Sequence, residues 1–163
     1  PTLIGIDNLK GDIILGFLAG ALLIVANIFG IFSLVVPPVA SIFSTNVGRF
    51  MVILVLAPIL EEVFFRGVVR EYLINLTKSV FLSNFVQAIF FGIFHLFAYS
   101  GVTLEAFSLT PILAVGGSFV SAIIFGYISA LIAQRTKNLL VSIIAHGVIN
   151  FWIVRGLFNI FGG

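Results

Sequence analysis

Four sets of polar side chains interrupt long runs of Ile, Leu, Val and Phe. They are Glu61, Glu62 and Arg66 in "APILEEVFFRGVV", His95 in "FGIFHLF", His146 and Asn150 in "IIAHGVINF", and Arg155 further along. If those runs cross a bilayer, each charge costs roughly 2.5–3.5 kcal/mol on insertion scales, and ionisable groups so placed face the interior of a bundle or a wet cavity. Glu62 and Arg66 are four apart, the spacing at which an acid and a guanidinium meet on one helix face. Glu61 is rotated from Glu62 by about 100°. One carboxylate is therefore clamped and the other is free to face a neighbouring helix. His146 and Asn150, also four apart, project from one face of the last run. Converging on one cavity, Glu61, His95, His146 and Asn150 make a hydrolytic set. Glu61 serves as general base toward water, with His95 helping to hold that water. His146 and Asn150 offer N–H donors to an oxyanion on a scissile carbonyl. Such chemistry needs no covalent nucleophile. Arg155 lies near a helix end and is read as a snorkelling side chain.

The elements that would position these groups are membrane helices. Hydrophobic residues make up 61% of the 163-residue chain and charged residues 9%, with mean hydropathy +1.28. Soluble domains carry about 25% charged residues, so the surface is suited to lipid. A net charge of +2 without a basic block excludes a nucleic-acid partner. The absence of cysteine excludes disulfides, thiolate metal sites and a cysteine nucleophile. The first apolar run is longer than the roughly 7–15 residues of a cleavable signal.

Five runs approach the roughly 20 residues that a bilayer core requires: Ile13 to Val36, closed by Pro37 and Pro38; Arg49 to Leu73; Val80 to Tyr99; Ile112 to Ala133; and Leu139 to Phe161. The expected fold is an all-α, polytopic membrane helix bundle with a central polar cavity. Residues 1–48 would form an N-terminal segment with the first span, and residues 49–163 the catalytic core. Lys and Arg in "NLTKS" and "QRTKN", together with Lys10, place the N-terminus inside, with Arg49 on the opposite side. Small residues recur at four-residue spacing in Gly16/Gly20, Ser118/Ala122 and Gly126/Ala130, a pattern that lets helix backbones approach in lipid. The 19 Phe are read as packing and lipid contact, and no internal repeat is expected.

Three separated motifs, Glu-Glu-x-x-x-Arg ("EEVFFR", 61–66), Phe-x-x-x-His ("FGIFH", 91–95) and His-x-x-x-Asn ("HGVIN", 146–150), give the chain a resemblance to the CAAX-protease and bacteriocin-processing family of glutamate-dependent intramembrane proteases, also called the abortive-infection family. The resemblance implies Glu61 as catalytic base with His95, an oxyanion site from His146 and Asn150, and Glu62 and Arg66 supporting Glu61. Phe91 is assigned only to packing beside His95. It further implies no cofactor, a peptide or lipidated-protein C-terminus as substrate, membrane lipid as surroundings, and a multi-pass location in the cell membrane.

Two other readings remain open. Glu61, His95 and His146 are a ligand set that zinc accepts, although the chain lacks His-Glu-x-x-His. A non-catalytic immunity or transport protein would also bury Glu and His, but carriers are often built from repeats. A paired-aspartate protease is excluded because Asp7 and Asp12 precede the first expected span, and neither Ser118 nor Ser142 sits in a rhomboid-like Gly-x-Ser-Gly.

Overall fold

The computed structural model describes residues 7–28, 51–100 and 109–160. Among these the chain is all-α. Helix α1 spans Leu9–Ile28. A rod follows in which π1 (Val52–Leu56), α2 (Ala57–Glu62), π2 (Val63–Val69) and α3 (Arg70–Thr77) succeed one another without a break. Then come α4 (Val80–Ser100), α5 (Leu109–Thr136) and α6 (Leu139–Ile160). The first expected span thus begins four residues early, and Asp12 lies in the first turn of α1 rather than before it. The ends expected at Val36, Arg49 and Phe161, and the division at 48/49, lie outside the described residues.

Two tight turns set the antiparallel order. Lys78 and Lys137 adopt φ of 56° and 55°, the left-handed conformation that closes a helix. Each is preceded by a Thr whose hydroxyl bonds the carbonyl four residues back, Leu73 for Thr77 (2.8 Å) and Ile132 for Thr136 (2.9 Å). Each is followed by a capping residue: Ser79 Oγ accepts the Leu82 N–H, and Asn138 Oδ1 accepts the Leu140 N–H. The sequences "TKS" and "TKN" therefore build one turn twice, a local repetition missed when the chain is scanned for long repeats. Asn138 also donates to Asp12 Oδ2 at 2.8 Å, and Asn84 donates to Gln134 at 2.8 Å. Both turns and the start of α1 accordingly gather at one end of the bundle.

Polar side chains are buried beside an apolar core, and many large apolar ones face outward. Glu62, Arg66, Ser83, Asn84, Gln87, Ser129, Ser142 and His146 are buried, while Leu22, Leu76 and Phe81 are exposed. This inversion suits a helical membrane bundle, in which helix association rests on close packing and internal hydrogen bonds. Among the described residues, Leu9–Ala26 and Phe119–Thr136 are long and apolar enough to cross a membrane, and Val80–Leu96 and Leu139–Ile153 are shorter apolar stretches.

The Gly16/Gly20 spacing brings α1 onto α6. A Cβ at Gly20 would lie 2.6 Å from Val148 Cβ, and one at Gly16 would lie 2.7 Å from Ile144 Cβ. Gly126 and Ala130 face inward in the same manner, Gly126 against Ala88 and Phe91 of α4. Gly20→Val is expected to destabilise the protein by about 2–3 kcal/mol through overpacking, read as a lowered melting temperature in detergent. Gly116→Val, where nothing among the described residues lies within 4 Å of a built Cβ, is the matched control and should leave it unchanged.

Candidate active site

The site begins with an irregular helix. Ala57 N–H bonds Val52 O, five residues back, so the next donor in that ladder should serve Ile53 O. That donor belongs to residue 58, a proline, which has none. Asn150 Nδ2 of α6 supplies the missing hydrogen at 3.1 Å. The close approach this demands is tolerated because residue 147 is Gly: a Cβ there would lie 2.9 Å from Leu54 O. Asn150 thus ties α6 to the rod about two turns before Glu61, with one of its two amide hydrogens engaged on backbone. Asn150→Ala is expected to lower stability by about 1–3 kcal/mol by orphaning that carbonyl. In a Pro58→Ala background, where an N–H returns at residue 58, the loss should shrink, as a double-mutant cycle of thermal unfolding would reveal.

The adjacent carboxylates then part company. Glu62 is fully buried, whereas the Glu61 side chain keeps 19% of its surface exposed. Glu62 Oε2 accepts from Ser142 Oγ at 2.7 Å and Ser129 Oγ at 2.9 Å. Arg66 Nε stands 3.2 Å from the same oxygen, within ion-pair range but off the hydrogen-bond direction. Glu62 Oε1 meets His146 Nδ1 at 2.9 Å. Surrounded by donors, this group is a carboxylate. The side-chain contacts of Glu62 run to His146, the two serines and Arg66.

Arg66 is fixed on three sides. Its guanidinium carbon lies 4.4 Å from the centre of the Phe91 ring, a cation–π distance, and Nη2 donates to Gly126 O at 3.3 Å. Gln87 donates to the same carbonyl at 2.9 Å. Phe91 packs between this cation and His95, whose ring centre is 4.2 Å away. Phe125 flanks His146 at 4.7 Å.

The two imidazoles have defined tautomers. His95 Nδ1 lies 2.9 Å from Phe91 O, and His146 Nδ1 faces the Glu62 carboxylate. Carbonyl and carboxylate oxygens only accept, so both Nδ1 atoms carry the hydrogen and both neutral rings present an Nε2 lone pair. Those lone pairs point toward one oxygen. Glu61 Oε2 is 3.7 Å from His95 Nε2 and 3.8 Å from His146 Nε2, and it makes no hydrogen bond within the described residues. Side chains from the rod, α4 and α6 therefore converge on one point. The structure brings Glu61, Glu62, His95 and His146 together, with Arg66 behind. Asn150 is held one turn further along α6, against Ile53. Among the described residues, no group of three or more His, Cys, Asp or Glu is arranged to hold a metal ion.

Sequence reasoning passed over Ser129, Gln87 and Asn84 and the role of Ser142. Gln87 and Ser142 had a signal in the four-residue ladders Ser83-Gln87-Phe91-His95 and Ser142-His146-Asn150, each a stripe along one helix. Ser142, weighed and set aside as a nucleophile, gives its hydrogen to Glu62. Arg155 has no described side chain.

A family model described as type II CAAX prenyl endopeptidase, Rce1-like, matches residues 42–152. The chain belongs to the Rce1-like family. The matched region holds the rod, α4, α5 and the half of α6 that carries His146 and Asn150. No curated protein matches the chain, and no solved structure does. The Rce1-like family is one of membrane-embedded proteases, hydrolases that act on prenylated protein C-termini, and this places the chain among CAAX-type intramembrane endopeptidases.

Proposed function

We propose that the protein cleaves a peptide bond near a lipidated C-terminus with a water held between Glu61 Oε2 and the Nε2 atoms of His95 and His146. Support comes chiefly from one observation: Glu61 Oε2 stands 3.7 Å from His95 Nε2 and 3.8 Å from His146 Nε2, too far for direct hydrogen bonds and near enough for a bridging water. Water donating to two of them turns its own lone pair outward, toward a carbonyl carbon. As the oxygen–carbon bond forms, Glu61 takes the proton and later passes it to the departing amine nitrogen. The oxyanion draws on the second amide hydrogen of Asn150, while His146, held by Glu62 at 2.9 Å, keeps its Nε2 lone pair on the second hydrogen of the attacking water. The rings of Phe91 and Phe125 border the site and limit access of bulk water.

Orientation follows from charge. Lys10, Lys78, Arg135 and Lys137 belong to the end of the bundle that carries both tight turns, so we place that end and the N-terminus on the inner face of a multi-pass protein.

The deciding experiment offers purified protein in detergent a prenylated C-terminal peptide, the same peptide unprenylated, and a bacteriocin-type leader peptide, each with and without chelator. Cleavage of the prenylated peptide, unchanged by chelator, supports the reading. Loss in chelator with recovery on adding zinc would replace it with a Glu61/His95/His146 zinc centre. Failure to cleave any peptide would favour a non-catalytic role.

A further inference from the structure

Two buried hydroxyls remain outside the reaction just described. Ser129 comes from α5 and Ser142 from α6, and both place Oγ on the same atom, Glu62 Oε2, at 2.9 and 2.7 Å. Helical serines ordinarily bond a carbonyl of their own preceding turn. Ser83, six residues after Thr77 as Ser142 is six after Thr136, does so: its hydroxyl reaches Ser79 O at 2.7 Å. Ser142 has the same option in Leu139 O at 3.3 Å but lies closer to Glu62. With two hydroxyls and Arg66 Nε gathered on Oε2, the plane of the carboxylate is fixed. Oε1 is left for His146 Nδ1.

We infer that Ser129 and Ser142 are positioning residues that act through Glu62 to hold His146 with its hydrogen on Nδ1, so that the Nε2 lone pair faces Glu61. Free imidazole prefers the opposite tautomer, with the hydrogen on Nε2. In that form His146 would present a donor to Glu61 and bind it directly, displacing the shared water. The role of this lock in hydrolysis rests on the proposed function; the lock itself does not.

The chain has only two histidines, so protein labelled with ¹⁵N-histidine reports both rings directly, and a His95→Gln sample assigns the His146 signals. In otherwise wild-type protein, His146 should show a protonated Nδ1 and a bare Nε2. Ser129→Ala/Ser142→Ala should move the hydrogen toward Nε2 and lower kcat at least about tenfold with KM unchanged, the lower range for loss of partners that orient an imidazole. If the double variant does not fold, each single variant keeps one hydroxyl on Oε2 and should show the same displacement at smaller amplitude. Wild-type His146 protonated on Nε2, or serine variants that leave its nitrogen signals unmoved, would overturn the inference. A protein that shows the lock yet cleaves no peptide loses the proposed function and keeps this assignment. Cleavage by protein lacking the lock does the reverse.

Discussion

Glu61→Gln is expected to reduce cleavage of a prenylated C-terminal peptide by about 10²–10⁴-fold, the range associated with a positioned general base, while leaving the protein folded. The amide has nearly the shape of the carboxylate, so packing is kept, but it cannot take a proton from water. Among the described residues Glu61 Oε2 accepts no hydrogen bond, and therefore little structure depends on it. Melting temperature and folded yield should stay close to wild type. Equal cleavage rates for the variant and wild type would remove Glu61 from the base role. A sharp drop in melting temperature would show that the group is structural.

Glu62→Gln should behave in the opposite way. Four side chains converge on this fully buried carboxylate: Arg66, Ser129, Ser142 and His146. Neutralising it strands the Arg66 charge among Phe91 and Phe125, and breaking a buried pair costs about 3–5 kcal/mol. The new amide nitrogen would also face donors. A large fall in folded yield and melting temperature is expected, together with loss of cleavage in whatever fraction folds. A variant that melts with wild type would show that the ion pair contributes little. Side by side, the two substitutions separate neighbours in sequence by the quantity each controls: rate for Glu61, stability for Glu62.

Much of this division was readable from spacing. The four-residue interval from Glu62 to Arg66 announced a clamped acid beside a less constrained one. The starts of α4 at Val80 and α6 at Leu139 follow from the polar "TKS" and "TKN" that precede them. The start of α1 was harder to read, because Lys10 and Asp12 resemble loop residues; Asp12 is helical with a partner, Asn138, at the far side of the sequence. The partners of Glu62 were hidden for a similar reason. Ser129 and Ser142 lie 67 and 80 positions from it, and a serine in an apolar helix looks like any other small packing residue. The two π stretches left still less trace, since "VILVL" and "VFFRGVV" carry no pattern that separates a wide turn from a regular one. Pro58 was the available hint, and its consequence, the bond from Asn150 to Ile53, emerges only once α6 is laid beside the rod.

The paired Thr-Lys turns have a mechanical consequence. They fasten the rod to α4 and α5 to α6 at one end, so the bundle resembles tongs with a riveted base. Glu61 and His95 each sit about 17 residues from the rivet at Lys78, a reach of about 25 Å at about 1.5 Å per residue, on opposite arms. His146 lies seven residues past Leu139, close to the base. A tilt of α4 by a few degrees would alter the gap from Glu61 to His95 by an ångström or more, while Glu62 and His146, on the rod and α6, would keep their union. Leverage of this kind would let α4 yield at its far end without loosening the joint that keeps the second imidazole aligned.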